Sequence, residues 1–144
     1  MPEKETLERA RKDKREGKAA STQAGEFVRE EIEHIREGKH GARSTKQAIA
    51  IGLSKARRAG VDLPASKGSS EETKEQAARD RRKAKSSKRP SATRSRATRK
   101  ALKREGHSAA SKQALSRQAR SAAKKRSAAS RSSSAKKAAA TRKK

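Results

Sequence analysis

Lysine and arginine side chains dominate the C-terminal part of this 144-residue chain. The segment from Arg81 to Lys144 holds 24 of the 42 Lys and Arg residues and one acidic residue, Glu105, so it carries +23 of the formal net charge of +26. Cations at this density repel one another unless a polyanion neutralises them. The abundant polyanion in cells is the phosphate backbone of a nucleic acid, so this segment predicts neutralisation of phosphates.

The kind of nucleic-acid contact follows from the aromatic content. Readers of single strands stack bases on exposed rings, whereas this chain has one aromatic residue, Phe27. We therefore predict contacts to phosphates without readout of base edges. The predicted contacts are Arg81, Arg82, Lys83, Lys85, Lys88, Arg89, Arg94, Arg96, Arg99, Lys100, Lys103, Arg104, Lys124, Lys125, Arg126, Lys136, Lys137, Arg142, Lys143 and Lys144. Secondary candidates are Arg43, Lys46, Lys55, Arg57 and Arg58.

The sequence contains no comparable pattern of residues that would indicate catalysis or metal binding. Cysteine is absent, which excludes disulfides and thiolate-bound metals. No two of His34, His40 and His107 have the i, i+4 spacing that puts two imidazoles on one helix face, so we expect no metal site. We expect His34 at a helix boundary, and His40 and His107 in turns that contact phosphate. Gly-rich phosphate loops are missing and two short helices cannot enclose a pocket, so we predict no enzyme, no catalytic residue and no cofactor.

The apolar residues divide the chain into two unlike parts. Beyond Leu63 the only large aliphatic or aromatic residues are Leu102 and Leu115. The basic part therefore offers too little apolar surface to offset the entropy of ordering it. We predict an all-α fold class, with short N-terminal helices and an αα-hairpin, followed by a long disordered or transiently helical basic tail over residues 91–144.

The N-terminal helices are predicted from charge order and apolar spacing. Residues 1–20 contain a charged, mostly solvated helix from Glu3 to Glu16, in which the order acidic first and basic last suits the helix dipole. Residues 21–64 form the hairpin, whose first helix is capped at Ser21 or Thr22 and ends at Gly38. The apolar face of that helix is formed by Phe27, Val28, Ile32 and Ile35.

The second hairpin helix has clear start and stop signals. Ser44 and Gln47 have the spacing of a capping box at its start. Gly60 is predicted as a left-handed residue after its end, Val61 as the apolar contact onto the last turn, and Pro64 prevents continuation. Its predicted apolar face is formed by Ile49, Leu53 and Ala56, with Ile51 beside them.

Residues 65–90 are predicted to be a linker with a charged helix from Glu71 to Lys83, which begins with a capping box of Ser69 and Glu72.

Two segments of the chain have similar sequences, and we call this similarity the internal echo. Residues 36–49 and 104–115 each read Arg-Glu-Gly, then His, then Lys-Gln-Ala and an aliphatic residue. A repeat would consist of a helix stop, a turn and a new helix start. Chance similarity is the alternative, because so few residue types are in use.

The segment from Gly38 to Gly60 contains the run STKQAIAIGLSKARRAG. This run, with the Ala/Lys/Arg/Ser tail, resembles a family of small, basic, largely uncharacterised bacterial proteins. Its members are often described as DNA-binding, histone-like or plasmid-stabilisation proteins, so the resemblance implies a role at the nucleoid. The tail is also similar in composition to linker-histone tails. The resemblance supplies no catalytic residues.

These observations favour a histone-like, nucleoid-associated protein that binds DNA without sequence preference and compacts or bridges it. DNA is the predicted partner, RNA is a second candidate, and a homodimer through the hairpin would supply two contacts. The alternatives are an RNA- or ribosome-associated basic protein, and a plasmid-maintenance regulator that reads DNA with the hairpin as a helix-turn-helix. No signal peptide or membrane span is predicted, so we expect a cytoplasmic location at the nucleoid.

Overall fold

The computed structural model describes residues 2–86 and 88–143, and its regular secondary structure within these ranges is helical throughout. The all-α fold class is therefore confirmed. The helices are α1 (Lys4–Arg15), α2 (Ala20–Arg36), α3 (Thr45–Arg58), α4 (Glu71–Lys83), α5 (Ala92–Lys103), α6 (Lys112–Lys124) and α7 (Ala128–Arg142), with a 3-10 turn at Ser108–Ala110 between α5 and α6.

Helices α2 and α3 form the predicted hairpin, but the buried face of α3 differs from the predicted one. Phe27, Ile32 and Ile35 of α2 are buried as expected. On α3 the fully buried stripe is Ala48, Gly52 and Ala56, whereas Ile49, Ile51 and Leu53 are only half-buried. The reason is the close approach of the two helices: a Cβ at Gly52 would lie 2.6 Å from the Cα of Val28. Small residues therefore face α2.

The helix ends follow local chemistry in most cases. The Ser44 hydroxyl accepts a hydrogen bond from the Gln47 backbone N–H (3.2 Å), which confirms the predicted cap of α3. Gly60 has φ +104°, and the Val61 N–H donates to the Ala56 carbonyl (3.0 Å), as a left-handed cap requires. The cap predicted at Ser21 or Thr22 is wrong, because α2 begins at Ala20 without a side-chain cap.

Two clusters of apolar residues hold the hairpin. One lies around Phe27 and includes Ala10 of α1, so α1 packs on α2 and is not a free, solvated helix. The other lies around Ile32 and Ile35, at the opposite end of the hairpin. Its remaining buried members are Ala42, Ala48, Ala109 and Ala110, with Val28 and Leu115 packed against them.

The prediction of a long disordered tail is wrong. Helices α5, α6 and α7 occupy most of residues 91–143. Ala109 and Ala110, at 5% and 1% exposure, are part of the core around Ile35. Two backbone hydrogen bonds fasten the tail to the loop after α2: the Gly41 N–H donates to the Leu102 carbonyl (2.9 Å), and the Ala42 N–H donates to the Gly106 carbonyl (3.0 Å).

Alanine explains why the tail is helical although it has few large apolar residues. Ala has the highest intrinsic helix propensity and is small enough to fill gaps between larger side chains. Serine supplies the helix starts, because Ser111 caps α6 and Ser127 caps α7 with side-chain hydrogen bonds. The tail therefore forms helices and docks with very few large apolar groups.

Helix α4 packs on α3 through a polar contact, while α5 and α7 bury none of their residues. Asp80 of α4 is fully buried and accepts hydrogen bonds from Ser54 (2.7 Å) and from Arg58 (3.1 Å). In the ranges that the structure covers, no helix is long and apolar enough to cross a membrane.

Candidate nucleic-acid interface

The cations of the chain fall into two groups that differ in their partners. In the first group, up to Arg81, several cations have an acidic partner: Arg9 pairs with Glu26 at 2.7 Å, and Lys18 pairs with Asp13 at 2.7 Å. Others in that group, among them Lys4, Arg11, Lys14 and Arg15, are exposed and form no salt bridge with a described residue. In the second group, every described Lys and Arg side chain from Arg82 to Lys143 is exposed, and none forms a salt bridge with a described acidic residue. Their charge is therefore open to an external anion.

Helix α5 presents the most regular array of such cations. Arg96, Arg99, Lys100 and Lys103 lie at i, i+3, i+4 and i+7, so they share one face of the helix. Together with Arg104 they line a shallow hollow that contains no other residue type. At 1.5 Å per residue the strip is about 10 Å long, a length over which a DNA duplex carries about six phosphate charges.

A second cationic hollow lies where α6 docks beside the start of α3. Arg43 and Lys46, both exposed, approach Arg117 of α6, and the hydroxyls of Ser108 and Ser121 complete the lining. The two hairpin residues were predicted as secondary candidates. Arg117 was missed, because only the docking of the tail brings it next to them.

Three further cations were left out of the predicted set although they are as exposed as their neighbours. They are Lys112 and Arg120 on α6 and Arg131 on α7. A plain count of cations in the tail would have included them. A helix presents residues three and four apart on the same face, so cations need not be adjacent in sequence to belong to one surface.

The other secondary candidates make contacts within the chain. Lys55 forms a salt bridge with the buried carboxylate of Glu31. Arg57 is buried at 9% exposure and donates to the Leu63 carbonyl (2.7 Å), and burial lowers the pKa of its guanidinium. Arg58 pairs with Asp80. These three side chains stabilise the fold, so the interpretation of α3 as a basic recognition helix loses three of its four cations.

The predicted tail contacts in the described chain all lie on the exposed surface, but two of them have partners within the chain and one residue is not described. Arg81 forms a salt bridge with Asp62. The Arg126 guanidinium donates to the hydroxyls of Ser130 and Ser134, so it is directed along the first turns of α7. Lys144 lies outside the described residues.

Two of the three histidines lie in an internal cluster and not on this exposed cationic surface. His34 and His40 lie together beside Glu31, below the loop that joins α2 to α3. His107 is exposed in the loop after α5. Hydrogen bonds from His34 and Lys39 hold the pKa of the Glu3 carboxyl below its usual range. His40 lies in the predicted turn between α2 and α3, but its side chain belongs to an internal polar cluster and not to the exposed surface.

Comparison with known proteins covers the N-terminal part of the chain. Residues 4–67, which span α1, α2 and α3, match DUF6496, a family of unknown function. No curated protein and no solved structure matches the chain. Helices α5 to α7, whose described cations are all exposed and form no salt bridge with a described residue, lie outside the matched segment. The similarity of the hairpin segment to DNA-binding and histone-like proteins stays a prediction.

Proposed function

We propose that this protein binds duplex DNA without sequence preference, through phosphate contacts made by the cations of α5, α6 and α7. The proposal rests on one observation: the described cations from Arg82 to Lys143 are exposed and have no acidic partner in the described chain. Flexible cations without aromatic neighbours suit phosphate oxygens, which carry no sequence information. No catalytic residue enters this proposal.

Helical order changes how such a tail binds. A disordered segment loses conformational entropy when it binds, whereas cations on a formed helix are already spaced along a rigid axis. The α5 array can follow a phosphate backbone or enter the major groove, which is about 12 Å wide and admits a helix. Because α7 is a second cationic helix, one molecule has two separate contact surfaces, and we infer that it bridges or compacts DNA at the nucleoid.

A homodimer is not needed for this mechanism. The apolar faces of the hairpin are covered within the chain, by α1 near Phe27 and by the tail near Ile35. Bridging by a single chain uses α5 and α7 as its two contacts. RNA presents phosphates as well, so a preference for duplex DNA over structured RNA is part of what the experiment below measures.

The first prediction compares two variants of equal net charge. In one, Arg96, Arg99, Lys100 and Lys103 of α5 become Gln; in the other, Lys4, Arg11, Lys14 and Arg15 of α1 become Gln. All eight side chains are exposed and form no salt bridge with a described residue, and α5 buries nothing, so both variants should keep the fold. We expect only the α5 variant to lose affinity, and its slope of log affinity against log salt to become shallower by roughly 3 to 4.

The measurement is fluorescence anisotropy with a labelled duplex, its scrambled version and a structured RNA over a salt series. Equal losses in the two variants would show that total charge governs binding and would refute the proposed surface. Tighter binding to the RNA would favour an RNA-associated protein. Retention of one duplex at high salt would favour a sequence-specific regulator.

A further inference from the structure

A polar cluster that the proposed function does not use lies beneath the loop between α2 and α3. Glu31, on α2, is fully buried. His34 follows it by one helical turn, and His40 reaches it from the loop; their side chains are 13% and 14% exposed. One carboxylate oxygen and one nitrogen of each imidazole lie within 4.8 Å of one another. The helix and the loop thus bring together three groups that can bind a metal ion.

The Glu31 carboxylate is only partly satisfied. Its Oε1 accepts from the Lys55 ammonium group. Its Oε2 is buried and has no hydrogen bond among the residues that the structure describes. The His40 Nε2 lies 3.1 Å from this oxygen, but the contact lacks the geometry of a hydrogen bond. A buried carboxylate oxygen without a hydrogen bond is costly, so Glu31 Oε2 can still accept a hydrogen bond or bind a cation, although Oε1 is paired with Lys55.

The second nitrogen of each imidazole assigns its tautomer. The His40 Nδ1 lies 2.9 Å from the Gly41 carbonyl, which can only accept, so in the neutral imidazole the proton is on Nδ1 and the Nε2 lone pair faces Glu31. The His34 Nε2 lies 3.0 Å from the Glu3 carboxylate, so its proton is on Nε2 and the Nδ1 lone pair faces the same region. Two nitrogen lone pairs and one carboxylate oxygen therefore converge.

We propose that Glu31, His34 and His40 form a binding site for Zn²⁺, with Glu31 Oε2, His34 Nδ1 and His40 Nε2 as the ligands. Imidazole and carboxylate suit zinc, and three protein ligands leave a fourth position for water. Tetrahedral bonds of about 2.0–2.1 Å place ligand atoms about 3.3 Å apart, close to the 3.1 Å between His40 Nε2 and Glu31 Oε2.

The surroundings have the form of an outer ligand shell. In metal sites a ligating histidine donates its other N–H to a backbone carbonyl or a carboxylate, and His40 and His34 have those two partners. A neighbouring group of Glu3, Glu30 and His34 also has metal-binding spacing. That group has one imidazole instead of two and uses a half-exposed carboxylate, so we place the ion at Glu31.

Zinc at this site would tie α2 to the loop on which the basic tail docks. His40 precedes Gly41, whose N–H donates to the Leu102 carbonyl in the segment that ends α5. Because the three ligands converge only in the folded chain, metal binding stabilises the fold. Zinc bound here would therefore hold in place the loop on which the segment after α5 docks.

The test uses the full chain, whose three histidines give imidazole NMR signals that can be told apart. Zn²⁺ is titrated into apo protein and followed by long-range ¹H–¹⁵N NMR of the imidazoles, with Co²⁺ as a second probe through its visible absorption. Three variants, Glu31→Gln, His34→Ala and His40→Ala, are compared with a control, His107→Ala, whose side chain is exposed and is not one of the three grouped ligands. Circular dichroism checks that each variant is folded.

We expect one Zn²⁺ per chain, a Co²⁺ spectrum of tetrahedral type, and metal-dependent shifts at His34 Nδ1 and His40 Nε2 but not at His107. Each ligand variant should weaken binding by at least about 10-fold, and His107→Ala should bind as the wild type does. Absence of saturable binding to the folded wild-type chain would overturn the proposal. So would equal weakening in the His107→Ala control, since the metal would then be bound by scattered surface imidazoles.

Discussion

At the scale of single residues, two glycines control how closely the parts of the chain approach. A Cβ at Gly52 would lie 2.6 Å from the Cα of Val28, and a Cβ at Gly41 would lie 2.0 Å from the Glu105 carbonyl oxygen. Atoms do not approach this closely without displacement of the backbone. The glycines that end helices, Gly38 and Gly60, can be predicted from the sequence because they follow periodic segments. The close approaches at Gly52 and Gly41 cannot, because each depends on a partner distant in sequence.

Substitution of Gly52 by Ala is predicted to destabilise the hairpin although it improves helix propensity. The propensity gain is roughly 1 kcal/mol, whereas overpacking between two helix backbones costs about 1–3 kcal/mol or more, so we expect a net loss. The matched control is Gly25→Ala on α2, where an added Cβ meets nothing within 4 Å and should stabilise. Urea unfolding measures both; a Gly52→Ala variant as stable as Gly25→Ala would contradict the packing described here.

At the scale of elements, the internal echo describes two segments of similar local structure that lie against each other. Each begins at the end of a helix and leads to a new helix whose start is capped by a serine, Ser44 for α3 and Ser111 for α6. The backbone hydrogen bonds from Gly41 and Ala42 join the two segments directly. The echo is incomplete, since Gly38 has a positive φ and Gly106 does not.

Helix positions could be predicted from the sequence, but the docking of helices could not. The ends of α1, α3 and α4 lie close to those predicted from charge order, the Ser44 cap and Gly60. The order of the tail was missed, because its burial depends on Ala109 and Ala110, which carry too little apolar surface to form a recognisable pattern. The cluster of Glu31, His34 and His40 could not be predicted either. His34 and His40 are six residues apart in the sequence, and only the folded loop brings His40 back to Glu31.

Substitution of Gly41 by Ala is predicted to detach the tail from the hairpin. The added methyl group collides with the Glu105 carbonyl, so the two loop hydrogen bonds and the contacts of Ala109 and Ala110 are lost, at a cost of about 2–3 kcal/mol. Hydrogen exchange of the Ala42 amide should rise strongly. Gly106→Ala in the facing loop is the control, because its Cβ meets nothing within 4 Å. Unchanged protection of Ala42 in the Gly41→Ala variant would contradict the docking.

In the molecule as a whole, the positive charge is concentrated in the C-terminal part of the chain, but both parts contribute residues to the core. The first 80 residues have a net charge of +3, and the rest has +23. The basic part nevertheless completes the core around Ile32 and Ile35. Removal of residues 81–144 would therefore uncover apolar surface as well as remove charge, and loss of binding after truncation would have two causes. Substitution of exposed cations separates them.

We propose that the cations of α5 to α7 bind DNA phosphates without regard to sequence. The decisive measurement is the affinity of the wild-type protein for a duplex and its scrambled version over a series of salt concentrations. If about ten cations engage, log affinity should fall with a slope of roughly −9 against log salt, equally for both duplexes. A slope shallower than roughly −3, or a marked preference for one duplex at high salt, would contradict the claim.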